Sequence, residues 1–200
     1  MDLFKKEFAP QKMGAPLQKT FQEQYNTNHA QTTAQRLNKT TIQQVLDFEK
    51  EFYTMQGIRK RVVNRYEIEK NPPSQQRTQL VDSVAQAMEL AEMEVEARAT
   101  IFRAMVTALS ELSEQRNFSE MQTNRFVDNF RNQVRTQINQ QLTDRLLLKY
   151  HGLENEPLKQ YISFYQSPAG QWLSSTRTQA VHNALDQAAN QFMDKLSTIK

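Results

Sequence analysis

The sequence predicts an all-α protein, a bundle of long antiparallel helices with short helices at the corners and no sheet. Gly and Pro, which weaken a helix by about 1 and 3 kcal/mol relative to Ala, are rare, with four Gly and six Pro in 200 residues. Neither occurs between Pro73 and Gly152. Apolar residues recur there every three or four positions, which places them on one helix face. No segment alternates apolar and polar residues as a half-buried strand would.

The first 30 residues contain two prolines and one glycine among many polar residues. This composition predicts an N-terminal arm, irregular or partly disordered, over residues 1–30. Residues 31–200 are predicted to form a single helical domain. The first apolar run of this domain predicts a helix that ends at Gly57. A shorter helix follows and ends before Pro72, because the residue that precedes a proline disfavours helical backbone.

Three long helices are predicted in the rest of the chain. The first has one apolar stripe that extends from Leu80 to Leu109, and Ser74 can accept a hydrogen bond from a free amide at its start. The second has a stripe from Phe126 to Leu146 that repeats every four residues. The third begins at the last proline and has apolar residues at helical spacing to its end.

Composition excludes several classes of protein. With 25 Lys and Arg against 22 Asp and Glu, the formal net charge is +3, far from the clustered charge that phosphate binding needs. No run approaches about 18 apolar residues, so no transmembrane segment is predicted. The chain contains no Cys, which excludes disulfides and thiolate metal sites. Lys5 and Lys6 are not followed by an apolar stretch, so we expect no secretory signal in the chain as given.

The sequence contains no pattern that predicts a metal site or a catalytic centre. Glu89, Glu92 and Glu96 share one helix face and could gather a cation, but we interpret them as a solvated acidic face. His182 and Asp186 lie one helical turn apart, as a general base and its orienting carboxylate would. We interpret them as a local surface pair. We therefore predict that the protein is not an enzyme and has no metal ion and no cofactor.

Basic residues cluster once, at Arg59, Lys60 and Arg61 with Arg65. On a helix they form a candidate basic contact patch that could meet phosphates or anionic lipid headgroups. Two glutamates follow within a Debye length and dilute the positive field. This dilution disfavours nucleic acid as the partner.

Methionines are the other feature with two interpretations. Because Met is flexible, several of them could line an adaptable groove for a partner or an apolar ligand. They could equally fill the core between helices. The residues concerned are Met88, Met93, Met105, Met121 and Met193.

A motif near the C-terminus is more specific. Phe164, Tyr165, Ser167, Pro168 and Gly170 match the Phe-Tyr-x-Ser-Pro-x-Gly signature of an uncharacterised bacterial domain family, which the segment resembles. The resemblance covers about residues 120–196. It implies an all-helical fold without an established activity. It also implies export to the periplasm of a Gram-negative bacterium, and the alternative compartment is the cytoplasm.

Two structural interpretations of this motif remain open. In the first, it is a tight corner between two helices, with Ser167 as the cap, Pro168 in the first turn and Gly170 where the helices pass closely. In the second, the same segment lines a binding crevice. The aromatic residues of that crevice would be Tyr161, Tyr165 and Trp172.

The leading prediction for function is a non-catalytic helical protein of the bacterial cell envelope. It would act through a protein partner or through self-association. The second hypothesis is a carrier or sensor that holds an apolar or lipid-like ligand between helices. A nucleic-acid-binding helical protein is the third.

Overall fold

The computed structural model describes residues 2–112 and 118–198. These ranges contain ten α-helices and no strand, so the predicted all-α bundle without a sheet is confirmed for them. The helices are α1 (Asp2–Glu7), α2 (Pro10–Glu23), α3 (Thr27–Leu37), α4 (Thr40–Phe52), α5 (Met55–Lys70), α6 (Gln75–Ala87), α7 (Leu90–Leu112), α8 (Glu120–Lys149), α9 (Asn155–Tyr165) and α10 (Pro168–Ser197).

The packing divides the chain into two compact units, and each unit is discontinuous in sequence. Unit 1 consists of Met1–Tyr25, Glu92–Ile138 and Ser175–Lys200, and unit 2 consists of Asn26–Ala91 and Asn139–Ser174. The single domain predicted for residues 31–200 stays a prediction. The periodicity of apolar residues indicates which face of a helix is buried, but it does not reveal which distant segments pack together.

Helices α1 and α2 occupy the part of the chain where an irregular arm was predicted. In unit 1, the rings of Phe4 and Phe8 pack against Phe192, with centroid distances of 5.4 and 6.4 Å. Pro10 is the first residue of α2, where its missing amide costs no helical hydrogen bond. Pro16 lies inside α2. The prolines therefore do not prevent helix formation, and Phe4 and Phe8 find an apolar partner in α10.

The continuous helix predicted from Leu80 to Leu109 is interrupted, because α6 ends at Ala87 and α7 begins at Leu90. Glu89 has φ +53°, in the left-handed region that ends many helices. Within unit 2, the Ser174 hydroxyl donates a 2.9 Å hydrogen bond to the carbonyl of Met88. This bond satisfies a carbonyl group at the break.

The predicted stripes also extend beyond the core. Leu109, at the end of the first stripe, is 62% exposed, and Phe126, at the start of the second, is 41% exposed. The methionines likewise do not form one group, since Met88 is buried in unit 2 whereas Met105 and Met121 are exposed in unit 1.

The core of unit 2 contains side chains from α4, α6, α8 and α9. This core positions the motif residues that were predicted to carry a site. Its most deeply buried apolar residues are Val45, Val81, Val84, Tyr150, Leu158, Tyr161 and Phe164.

Candidate functional site

The signature motif forms a tight corner between α9 and α10. The Ser167 hydroxyl donates to the carbonyl of Phe164 at 2.6 Å and accepts from the amide of Gly170 at 3.3 Å. A Cβ atom on Gly170 would lie 2.5 Å from Cα of Tyr165 and 2.7 Å from the carbonyl carbon of Phe164. Only glycine fits such a close approach of two backbones. The geometry agrees with the first interpretation of the motif.

The aromatic residues that α9 contributes to the motif are buried. Tyr161 and Phe164 are each 1% exposed, and Tyr165 is also buried. Trp172 is half-buried and stacks on His29 with a centroid distance of 6.0 Å. Three of the four rings therefore belong to the core of unit 2, and the crevice stays a prediction.

A half-buried carboxylate joins three helices of unit 2. Oε1 of Glu49, on α4, accepts from the Tyr150 hydroxyl at 2.6 Å and from Nζ of Lys149 at 3.2 Å. Its Oε2 accepts from the Tyr161 hydroxyl at 3.1 Å. The second tyrosine belongs to the motif helix α9, so the network connects α9 to α4 and to the end of α8.

The two tyrosines of this network are fixed in their protonated form. Burial raises the pKa of Tyr150 well above its ordinary value, and the neighbouring Glu49 carboxylate raises it further. Burial also raises the pKa of Tyr161, with smaller contributions from Tyr165 and Glu49. Both phenols therefore donate to Glu49 and cannot act as bases near neutral pH. We interpret the network as structural.

A second corner with the same geometry joins α4 and α5, and the sequence analysis missed it. The Thr54 hydroxyl donates to the carbonyl of Glu51 at 2.7 Å and accepts from the amide of Gly57 at 3.0 Å. A Cβ atom on Gly57 would lie 2.9 Å from Cα of Phe52 and 2.8 Å from the Glu51 carbonyl carbon. The signal in the sequence is a hydroxyl residue followed three positions later by Gly.

The two corners and the helices before them correspond at an offset of 113 residues. Thr54 and Gly57 correspond to Ser167 and Gly170. The helices before the corners also correspond, because equivalent positions are buried or half-buried and apolar in both. The corresponding pairs are Val45 with Leu158, Phe48 with Tyr161, and Phe52 with Tyr165.

The helices after the two corners differ on their exposed side. Five apolar residues of α5 are exposed, including Val63 (56%). The other four lie on one side of the helix, and we call them the α5 face: Met55 (71% exposed), Ile58 (42%), Val62 (72%) and Tyr66 (66%). The corresponding positions on α10 are also exposed, but three of them are polar. These are Pro168, Gln171, Ser175 and Gln179. The corner itself therefore does not require apolar residues at these positions.

The four predicted basic residues divide into two pairs. Lys60 forms a 2.5 Å ion pair with Glu51, and the Arg61 guanidinium lies 4.6 Å from the centroid of the Phe52 ring. Arg59 and Arg65 are exposed, and no residue in the described ranges forms an ion pair with either of them. Arg59 and Arg65 are thus available to an external anion.

A cleft of about 500 Å³ lies in unit 2 beside α5. Its apolar part includes Phe48, Phe52 and Leu148, and its charged part includes Lys149. The three consecutive basic residues of the predicted patch also line it. The cleft therefore combines an apolar wall with several cations.

Two of the three acidic residues considered as metal ligands have other partners. In unit 1, Glu92 pairs with Arg135 at 2.9 Å and Glu96 pairs with Arg131 at 2.9 Å. The described residues contain no group of three or more His, Cys, Asp or Glu that could hold a metal ion. Both carboxylates bind arginines of α8, so the interpretation as a solvated acidic face is replaced by one of ion pairs between helices.

The two residues considered for catalysis form a local pair. Nε2 of His182 lies 3.2 Å from Oδ2 of Asp186, and Nδ1 lies 3.4 Å from the Thr100 hydroxyl. With Thr100 as a nucleophile, these residues would need amide groups nearby to stabilise the oxyanion of an acyl-transfer intermediate. Thr100 lies in the middle of α7, where the backbone amides are already hydrogen-bonded within the helix. The pair therefore matches the predicted surface interaction.

None of the helices in the described ranges has the length and apolar character that crossing a bilayer requires. No family model, no curated protein and no solved structure matches the chain. The resemblance to the uncharacterised bacterial family therefore stays a prediction.

Proposed function

We propose that the protein is a non-catalytic helical interaction protein and that its binding surface is the α5 face. The observation that supports this proposal is the difference between two equivalent helices. The α5 face has four exposed apolar residues, whereas α10 has polar residues at three of the same positions. Exposed apolar patches are typical of surfaces that bind a partner. Because both helices follow the same corner, folding of the corner does not explain the apolar residues on α5.

We propose the periplasm of a Gram-negative bacterium as the compartment, and the support for this is the resemblance of the signature motif. The cytoplasm is the alternative. Fractionation of the source cells, with the product of the full-length gene detected by immunoblotting, tests the proposal. We expect the protein in the periplasmic fraction, and recovery with the cytoplasmic markers would overturn this part of the proposal.

The second candidate function is a carrier of a lipid-like ligand. The cleft beside α5 supports it, because its volume of about 500 Å³ lies within the range of small-molecule sites. Native mass spectrometry of the purified protein tests this function. A co-purifying lipid that is lost in a Phe48→Ser variant would favour the carrier, and a mass equal to that of the chain alone would contradict it.

Photo-crosslinking in living source cells tests the interaction surface. A photoreactive residue replaces Val62 on the α5 face, and the matched control replaces Ser175, the exposed equivalent on α10. We expect an adduct at position 62, with a protein or a lipid, that is weak or absent at position 175. Equal labelling at the two positions, or none at either, would overturn the proposal.

A further inference from the structure

We propose that the α5 face binds an anionic lipid surface. The inference rests on the proposed function, since it names the partner of the surface proposed there. It depends on where the cationic side chains lie around the face. It also depends on the absence of acidic partners for two of these cations, Arg59 and Arg65, within the described residues.

Two arginines border the α5 face, one on each side. With 3.6 residues per turn, the apolar side chains from Ile58 to Tyr66 cover an arc of about 80° around the helix. Arg65 lies about 20° outside one edge of this arc, and Arg59 lies about 20° outside the other. In helices that lie in a membrane interface, apolar side chains enter the acyl boundary and flanking cations reach the headgroups. The order of residues from Ile58 to Tyr66 matches this arrangement, and the exposed Glu69 lies on the same side at the C-terminal end of α5.

The charge of α5 also favours an anionic partner. The helix has five cations, at positions 59, 60, 61, 65 and 70, and two glutamates, at positions 67 and 69, which gives 5 − 2 = +3. Arg59 and Arg65 find no acidic partner within the described residues. Phosphate groups of anionic lipids would supply that charge, and the long arginine stems would lie along the apolar face.

A second copy of the chain is a poorer partner for this face. Antiparallel pairing of two α5 helices about Val62 would bring Arg59 opposite Arg65 at both ends of the contact. Like charges in contact destabilise such a pair. Nucleic acid would use the arginines but leave the apolar side chains exposed to water. A lipid surface uses both features.

Cosedimentation with vesicles tests the inference. The full chain is mixed with vesicles of phosphatidylcholine alone and with vesicles that also contain phosphatidylglycerol. We expect binding to the phosphatidylglycerol vesicles and little binding to the neutral ones. An Arg59→Gln/Arg65→Gln variant should bind the anionic vesicles about 30-fold more weakly.

The apolar contribution is tested with residues taken from α10. The variant Ile58→Gln/Val62→Ser/Tyr66→Gln gives α5 the exposed residues of its equivalent helix, and it should bind at least about tenfold more weakly. Val62→Ser alone provides the same test with a smaller change if the triple variant does not fold. Met121→Gln, a change at an apolar residue of α8 that is 81% exposed, should bind like the unchanged protein.

The outcomes distinguish this inference from the proposed function. Failure of the unchanged protein to bind phosphatidylglycerol vesicles, or undiminished binding by the two α5 variants, would overturn the lipid proposal. If a crosslink at position 62 then captures a specific protein in cells, the α5 face remains a binding surface with a protein partner. Loss of both the crosslink and the vesicle binding would overturn both.

Discussion

The Cα atom of Tyr165 lies 2.5 Å from the position that a Cβ atom on Gly170 would occupy. The three nearest atoms around that position all belong to the backbone of Phe164 and Tyr165, the last two residues of α9. Backbone atoms cannot rotate away as the end of a side chain can. Any substitution of Gly170 must therefore move α9 away from α10 and disturb the packing of the buried aromatic residues of the motif.

We expect Gly170→Ala to lower the free energy of unfolding by at least about 2 kcal/mol. Gly57→Ala should have an effect of similar size, because the second corner is equally close. Urea denaturation followed by circular dichroism measures both changes. The control is Gly14→Ala within α2, where no atom lies within 4 Å of the added Cβ. This control should raise the stability by up to about 1 kcal/mol, and equal effects at all three glycines would contradict the tight corners.

Glu49 is the acceptor on which two buried phenols depend. Replacement of Glu49 by Ala leaves the hydroxyls of Tyr150 and Tyr161 without this acceptor, and each unsatisfied group costs about 1–3 kcal/mol. We expect Glu49→Ala to lower the free energy of unfolding by about 2–5 kcal/mol. The control is Asp47→Ala on the same helix. Asp47 forms an ion pair with Lys50, and each of the two side chains is 70% exposed. The control should change stability by less than about 0.5 kcal/mol, and similar losses in the two variants would show that the network adds no stability.

The fold class and the corner at Ser167 could be predicted from the sequence because both depend on local patterns. Periodicity is a property of a single helix, and a hydroxyl residue followed by Pro and Gly describes one turn of backbone. The break at Glu89 could not be predicted in this way. Glu does not favour positive φ, and the hydroxyl that bonds to the Met88 carbonyl belongs to Ser174, which is 86 residues away.

The α5 face shows a different limit of sequence patterns. The spacing of Ile58, Val62 and Tyr66 indicates a helix with an apolar side, and α5 is a helix. Whether that side is covered depends on the other elements of the unit, and the sequence carries no local sign of this. The second corner had a sequence signal, the spacing from Thr54 to Gly57, but a pattern of two residues becomes significant only when the contacts show the same geometry twice.

The phenols of Tyr150 and Tyr161 should resist ionisation at alkaline pH. Burial raises the pKa of each above the ordinary value of 10.0, so the folded state holds protons that the unfolded state releases. The associated stability is present below pH 10.0 and is lost as the pH rises above that value. Spectroscopic titration should show no more than four of the six tyrosines ionising in the folded protein, and all six in urea. Six ionising phenols in the folded state would contradict the buried network.

The buried carboxylate of Glu7 should make unit 1 sensitive to acid. Hydrogen bonds from Lys12 and then from Lys195, at 2.5 and 2.7 Å, lower the pKa of Glu7 below its ordinary value of 4.5, and burial opposes them. Because the folded-state pKa is the lower one, the stabilisation is present above pH 4.5 and is lost as the pH falls through the folded-state value. Glu7→Gln should therefore be less stable than the unchanged protein at neutral pH, and the difference should shrink in acid.

The measurement for this prediction is the free energy of unfolding of both proteins as a function of pH. Glu23→Gln is the control, because its side chain is 57% exposed and lies 3.7 Å from Lys19, a surface pair that contributes little. The control should follow the unchanged protein at every pH. A Glu7→Gln deficit that keeps its size below pH 4.5 would mean that the packing of α1 is lost in the variant, and that the charge of Glu7 is not what stabilises this end of the chain.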